Sequence, residues 1–193
     1  MIKIFFTFLS FIILFFIYGC SPVGILASGG ASTMVVAEGD RSIGSVVDDA
    51  TIKLNLSTKF LQSGNNLFLN INSNVIEGRV LLTGIVDTQE IRINAIRKVW
   101  EIEGVEEVIN EIEVGSNTTI KEYTNDLWIN TQVKSLTAKT IGLRVLNYNF
   151  ETIKGKVYVA GITSKSEQLQ AVIESIKTIK GVKEIVNYVI IKE

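Results

Sequence analysis

The chain has 193 residues, 47% of them apolar and 20% charged, with one Pro, one Cys and no His. This excludes a disordered polar chain, a collagen-like chain and a disulfide framework, and it removes the commonest general base and the commonest metal ligand. Nineteen Lys and Arg against twenty Asp and Glu give a net charge of −1, so no basic excess points to nucleic acid. Composition leads us to expect a binding or structural protein, with no cofactor, no metal and no enzymatic activity.

After Lys3 the chain is apolar from Ile4 to Tyr18, interrupted by Thr7 and Ser10. That is shorter than the roughly 20 residues of a membrane-spanning helix. A positive residue before a short apolar core is the pattern of a secretory signal. The run ends in Ile17-Tyr18-Gly19-Cys20. This resembles the bacterial lipoprotein signal, in which an aliphatic residue stands three before the Cys and a small residue just before it. The resemblance implies a signal peptide over residues 1–19, removed by cleavage, and a thioether-linked diacylglycerol on Cys20. The freed amino group would take a further acyl chain, such as palmitate, and stable anchoring requires two or more chains. The other reading is an uncleaved anchor helix. The single Cys at the end of a short apolar core favours the lipoprotein. Ser21, rather than Asp, follows Cys20, which within this class implies the outer membrane, periplasmic face. Residues 20–45 are then the lipidated Cys and a Gly-, Ala- and Ser-containing tether. As a flexible coil its span is roughly 27 Å root-mean-square. Gly29-Gly30 is no phosphate loop, because no Lys-Ser/Thr follows it.

The rest of the chain repeats itself at an offset of 77, with eleven of 37 positions identical between 78–114 and 155–191. Gly78, Gly84 and Gly104 recur as Gly155, Gly161 and Gly181, and Asp49 and Ile52 match Asp126 and Ile129. Two copies make two small domains, since a solenoid needs at least about three. We place them at 46–115 and 125–193, with a linker over 116–124.

Each copy opens with a helix, its inward stripe formed by Ile52, Leu56 and Phe60, or by Ile129, Val133 and Leu136. Asp48-Asp49 and Asn125-Asp126 are expected as cap and first-turn residues. Two strands follow, over 67–71 and 79–83, repeated over 144–150 and 156–160, with Gly78 and Gly155 in the tight turns. The second helix opens at Asp87-Thr88-Gln89-Glu90 or Ser164-Lys165-Ser166-Glu167, near relatives of the capping box. Its buried face is Ile93, Ile96 and Val99, matched in copy two by Gln170, Ile173 and Ile176, where Leu169 and Val172 flank the stripe and Gln170 breaks the equivalence, and it ends at Gly104 or Gly181 as C-cap. A last strand over 105–114 or 182–191 closes the unit. The order αββαβ predicts an α+β fold: a three-stranded mixed sheet packed on two helices, the third strand parallel to the second. Each copy is near the size where a lone core is marginal, so the two are expected to pack together.

The strand Gly-x-Val-x-Leu/Val-x-Gly, a helix, and then Gly-Val-x-x-Val/Ile-x-Asn resemble the BON domain. Two such units behind a lipoprotein signal are similar to the dual-BON outer-membrane lipoproteins. Arg41-Ser42-Ile43-Gly44 before Asp48-Asp49, and Asn125-Asp126-x-Trp128-Ile129 in copy two, carry the likeness further. It implies a non-enzymatic factor for outer-membrane integrity whose second domain binds anionic phospholipid.

The residues carry two asymmetries of their own. Residues 46–115 hold six basic and eleven acidic side chains, a net of −5, whereas 125–193 hold ten basic and six acidic, a net of +4. Only the second copy would be drawn to an anionic surface, although two domains that complement each other would show the same split. On a helical wheel Trp128 lies about 105° from the inward stripe of copy two and Leu127 lies almost opposite it. Gln132 and Lys139 fall on the Trp128 edge, and copy one has Ala50 and Thr51 where copy two has Leu127 and Trp128. Leu127, Trp128, Gln132 and Lys139 are therefore the candidate phospholipid-contact residues. The alternative is that Leu127 and Trp128 fill an interface with the first domain or the tether. Trp100 is expected in a core or domain interface. The chain is expected to be monomeric. Anionic phospholipid is the expected partner, and the rival partner class is the outer-membrane protein assembly machinery.

Overall fold

The computed structural model describes residues 41–64, 66–116 and 118–192, all within one compact unit, Gly39–Glu193. Cys20, the apolar run before it and the tether up to residue 40 lie outside the described residues. The first copy consists of α1 (Ile43–Gln62), a single helical turn (Leu67–Asn70), β1 (Ile71–Ile76), β2 (Arg79–Val86), α2 (Gln89–Trp100) and β3 (Glu107–Val114). The second repeats it as α3 (Ile120–Ile141), a 3-10 stretch (Gly142–Asn147), β4 (Tyr148–Ile153), β5 (Lys156–Thr163), α4 (Ser166–Lys177) and β6 (Glu184–Ile191). Each sheet has its second strand in the centre, antiparallel to the first and parallel to the third. This is the expected αββαβ unit, twice.

Both long helices begin earlier than the sequence suggested. Ser42 caps α1 by accepting from Ser45 N at 3.0 Å. Thr119 and Glu122 form a reciprocal capping box on α3. Asp49 and Asp126 are thus not capping residues. They sit inside the helices, buried, with relative exposures of 5% and 6%. Asp49 accepts from the backbone N–H of Glu77 (2.8 Å) and Gly78 (3.0 Å). Asp126 does the same for Lys154 (2.6 Å) and Gly155 (2.8 Å). Arg41 adds an ion pair to Asp49. Each carboxylate therefore fastens a helix to the hairpin turn of its own sheet.

That turn needs its glycine. Glu77 and Gly78 have φ of 51° and 73°, and Lys154 and Gly155 have 50° and 82°. Two consecutive left-handed residues make the mirror-image turn that suits strand twist. A Cβ on Gly78 would come within 2.9 Å of the Gly104 carbonyl oxygen, and one on Gly155 within 2.8 Å of that of Gly181. Space and dihedral angle both demand glycine.

The first strands are displaced from the expected spans: β1 and β4 begin at Ile71 and Tyr148, after a helical turn in each copy. The two-residue turn pairs Ile76 with Arg79 and Ile153 with Lys156, so the strand must run directly into it. Asn72, Ser73 and Asn74 are polar but alternate in the sheet, which hid the strand. The second helix is rotated from the expected phase: Ala95 and Val99, or Leu169, Val172 and Ile176, are buried, whereas Ile93 and Gln170 are exposed. Helix α2 stops at Trp100 with Glu101 as C-cap, so Gly104 lies in the following turn. Thr88 caps it by accepting from Ile91 N at 3.3 Å, whereas α4 has no side-chain cap at Lys165.

Two cores lie between helices and sheets, one built on Leu56, Leu82 and Val99, the other on Ile129, Val159 and Ile176. A third joins the copies: Ile76, Leu81 and Ile85 pack with Ile153, Tyr158, Ala160 and Ile162. The two sheets meet on the faces their helices leave free, which is why β2 and β5 are apolar on both sides. The rim of this interface is charged. Lys154 reaches Glu113 at 4.0 Å, Lys156 reaches Glu111 at 3.6 Å, and Lys192 pairs with Glu77. Burial and a hydrogen bond to the Glu111 carboxylate push the Tyr188 phenol up to about 12. Burial likewise raises the Glu151 carboxyl, which accepts from Asn72 Nδ2 at 3.2 Å. Part of the charge split between copies is thus consumed by their contact.

Replacing Asp126 by Ala leaves two backbone N–H groups of the turn without an acceptor. The expected loss is about 2–4 kcal/mol of unfolding free energy in urea melts, with Asp126→Asn losing less. A change within about 0.5 kcal/mol, the range of a neutral surface substitution, would contradict the clamp.

Candidate membrane-contact site

Helix α3 carries the candidate residues because one side of it is fully occupied. Ile129, Val133 and Thr137 are buried against the second sheet and α4, and Leu136 packs at the margin of that core. The core needs nothing from the opposite side, yet Leu127 is 56% and Trp128 47% exposed. Gln132 and Lys139 are exposed as well. The interdomain contact is made by the sheets, so Leu127 and Trp128 do not fill it.

The early start of α3 extends this face. Ile120 is 87% and Tyr123 63% exposed, and with Leu127 they recur every three to four residues on the side opposite the buried stripe. From Ile120 to Trp128 the row is about 12 Å long at the rise of an α-helix. Trp128, Gln132 and Lys139 follow its flank, and Lys121 falls on the same flank, seven residues before Trp128. Sequence reasoning missed Ile120 and Tyr123 because it assigned them to the linker. The pattern Thr119-x-x-Glu122, a capping box, marked the helix start.

The first copy presents a different surface. Helix α1 exposes the aliphatic Val46, Val47, Leu54 and Leu61, but no aromatic residue. Its domain carries the excess of acid. Trp100 is not in a core or domain interface as expected. It projects from the last turn of α2 at 53% exposure, on the side that also exposes Ile93. Among the described residues no helix is long and apolar enough to cross a membrane.

A sheet of this topology on two helices, repeated behind the same aspartate-to-turn clamp, defines a tandem domain class. Residues 48–116 and 125–193 each match the BON domain, and the chain belongs to the BON-domain family. Among its relatives is an uncharacterized protein in the gshII 5′ region of Anaplasma centrale. It is 39% identical over 147 residues, 76% of this chain and 96% of that protein. The outer membrane lipoprotein DolP of Haemophilus influenzae is 29% identical over 177 residues, 89% of this chain and 88% of its own. A 21 kDa hemolysin of Actinobacillus pleuropneumoniae is 29% identical over 154 residues, 77% of this chain and 78% of its own.

If Trp128 faces outward, Trp128→Glu keeps the fold, with unfolding free energy changed by about 0.5 kcal/mol or less. Ile129→Ala, one residue away, empties a fully buried site and costs about 2–5 kcal/mol. Urea melts of both variants check this, and a Trp128 variant as unstable as the Ile129 variant would contradict the assigned face.

Proposed function

We propose that this chain is a lipid-anchored, non-enzymatic periplasmic protein of the outer membrane that supports membrane integrity, its second BON domain docking on anionic phospholipid. The observation that carries the reading is the outward side of α3, where Leu127 and Trp128 are half exposed and serve neither core nor domain interface. Trp favours the boundary between water and hydrocarbon, and Lys139 on the same flank suits the headgroup layer. Cys20 supplies the anchor. The relationship to DolP, an outer membrane lipoprotein, supports the location.

The charge distribution sets the orientation. The second domain, at +4, is attracted to an anionic surface and the first, at −5, is repelled from it. Each Lys near such a surface contributes about 1 kcal/mol. Anchor and domain then act together, because tethering makes the weak docking step intramolecular. A second, protein-facing role for the first domain, in outer-membrane protein assembly, is favoured by one observation: the large apolar side chains of Trp100 and Ile93 are exposed on α2.

The test uses the unlipidated chain, residues 20–193 with Cys20→Ser. It is expected to cosediment with phosphatidylglycerol vesicles and not with phosphatidylcholine vesicles, and Trp128→Glu is expected to weaken binding by about tenfold or more. Equal binding to both vesicle types, or unchanged binding by the variant, contradicts the reading.

A further inference from the structure

The repeat places the same groove on both copies, between the start of the first helix, the hairpin turn and the chain entering the third strand. In the first copy a cavity of about 870 Å³ is lined by Asp48, Glu77, Glu103 and Glu106 among others. In the second, a cavity of about 410 Å³ is lined by Lys121, Asn125, Lys154 and Lys183, with Glu122 and Asp126. At the offset of 77, Glu77 corresponds to Lys154, Glu103 to Lys180 and Glu106 to Lys183. Three glutamates have become three lysines.

The correspondence holds in space. A Cβ built on Gly78 would meet Glu106 Cγ at 2.9 Å, and one on Gly155 would meet Lys183 Cγ and Cδ at 3.2 Å. In each copy the stem of the charged side chain lies against the hairpin glycine. Of the carboxylates in the second groove, Asp126 accepts from the turn N–H groups and Glu122 caps α3, its charge also attracted by Lys154 and Lys183, so three lysines against two carboxylates leave the groove a single net positive charge. Lys154 reaches Glu113 only at 4.0 Å, and Lys121 and Lys183 are exposed. Lys121 and Asn125 are seven and three residues before Trp128, on its flank of α3.

We infer that this groove of the second domain is an anion site that takes the phosphodiester of a phospholipid headgroup while Trp128 enters the bilayer boundary beside it. Lys121, Lys154 and Lys183 hold the phosphate oxygens, and Asn125 offers a carboxamide donor. The first domain, with glutamates in the equivalent places, is built to refuse the same ligand. The inference rests on the lipid-docking reading above, and it names the specificity-determining residues of that contact.

The experiment compares three forms of the unlipidated chain with Cys20→Ser on phosphatidylglycerol vesicles. One is otherwise unaltered, one adds Lys121→Gln and Lys183→Glu, and one adds Lys165→Gln and Lys177→Glu, the same charge change made at the two ends of α4. Glu at 183 is the residue the first copy carries at the corresponding site, and the contact between Lys154 and Glu113 is left intact. The groove variant is expected to lose about tenfold or more in affinity and the α4 variant less than about threefold. Equal losses would mean that net charge alone governs binding, and would overturn the groove. Failure of the otherwise unaltered chain to bind sinks the docking reading itself, whereas its binding with an undiminished groove variant sinks only the groove. Amide shifts of Lys154, Gly155 and Lys183 are followed with dihexanoyl phosphatidylglycerol and with inorganic phosphate at matched ionic strength. Saturation by the lipid alone supports the assignment, and equal saturation by phosphate would assign the groove to a free anion and overturn it.

Discussion

A buried carboxylate that binds two backbone N–H groups is the constraint on which each half of this molecule depends. Asp49 and Asp126 reach from mid-helix to the hairpin turn and hold it from the helix side. The turn in turn fixes the register of the hairpin, and a slip of one residue would send every core side chain to the opposite face. The β-α-β step makes the third strand parallel to the second, with both helices on one side of the sheet. The free face of each sheet is then apolar and must be covered. The molecule covers it with the other copy, so that two units too small to be secure alone share a third core.

This arrangement decides which surfaces remain for partners. Because the sheets are used up in contact with each other, function falls to the helices and the turns. The repeat makes the two halves nearly interchangeable in fold, so differences between equivalent positions stand out. Where the first copy has Ala50 and Thr51 the second has Leu127 and Trp128, and where the first has Glu77, Glu103 and Glu106 the second has Lys154, Lys180 and Lys183. None of these changes alters the core. They change what each half offers to water, and they change it in one direction, toward an apolar and basic second domain.

Much of the fold was legible in the sequence because glycine and hydrophobic spacing act locally. Gly78 and Gly155 announced the turns, and Ile52, Leu56 and Phe60 announced the buried stripe of α1. What was hidden depends on contacts distant in sequence. Asp49 and Asp126 look like helix caps until the turn they serve, nearly thirty residues away, is in place. Asn72, Ser73 and Asn74 look like a loop, although in the strand Ser73 turns inward with Ile71 and Val75 while Asn72 and Asn74 lie on the other side. Trp100 looks like core because it is large and apolar, yet Ala95 and Val99 complete that face of α2 without it. Of the candidate site, Leu127, Trp128, Gln132 and Lys139 followed from helical phase together with the resemblance to the BON domain. Ile120, Tyr123 and the lysine groove followed only once the helix start and the turn were placed.

The central claim is that α3 of the second domain, and not α1 of the first, lies against the bilayer. With Cys20 replaced by Ser the chain has no cysteine, so a nitroxide can be attached through a single new Cys at position 127 or at its repeat equivalent, position 50. On phosphatidylglycerol vesicles the label at 127 is expected to become protected from a water-soluble paramagnetic relaxant and exposed to oxygen, while the label at 50 stays fully accessible to the relaxant. Protection at both positions, or at position 50 alone, would contradict the account.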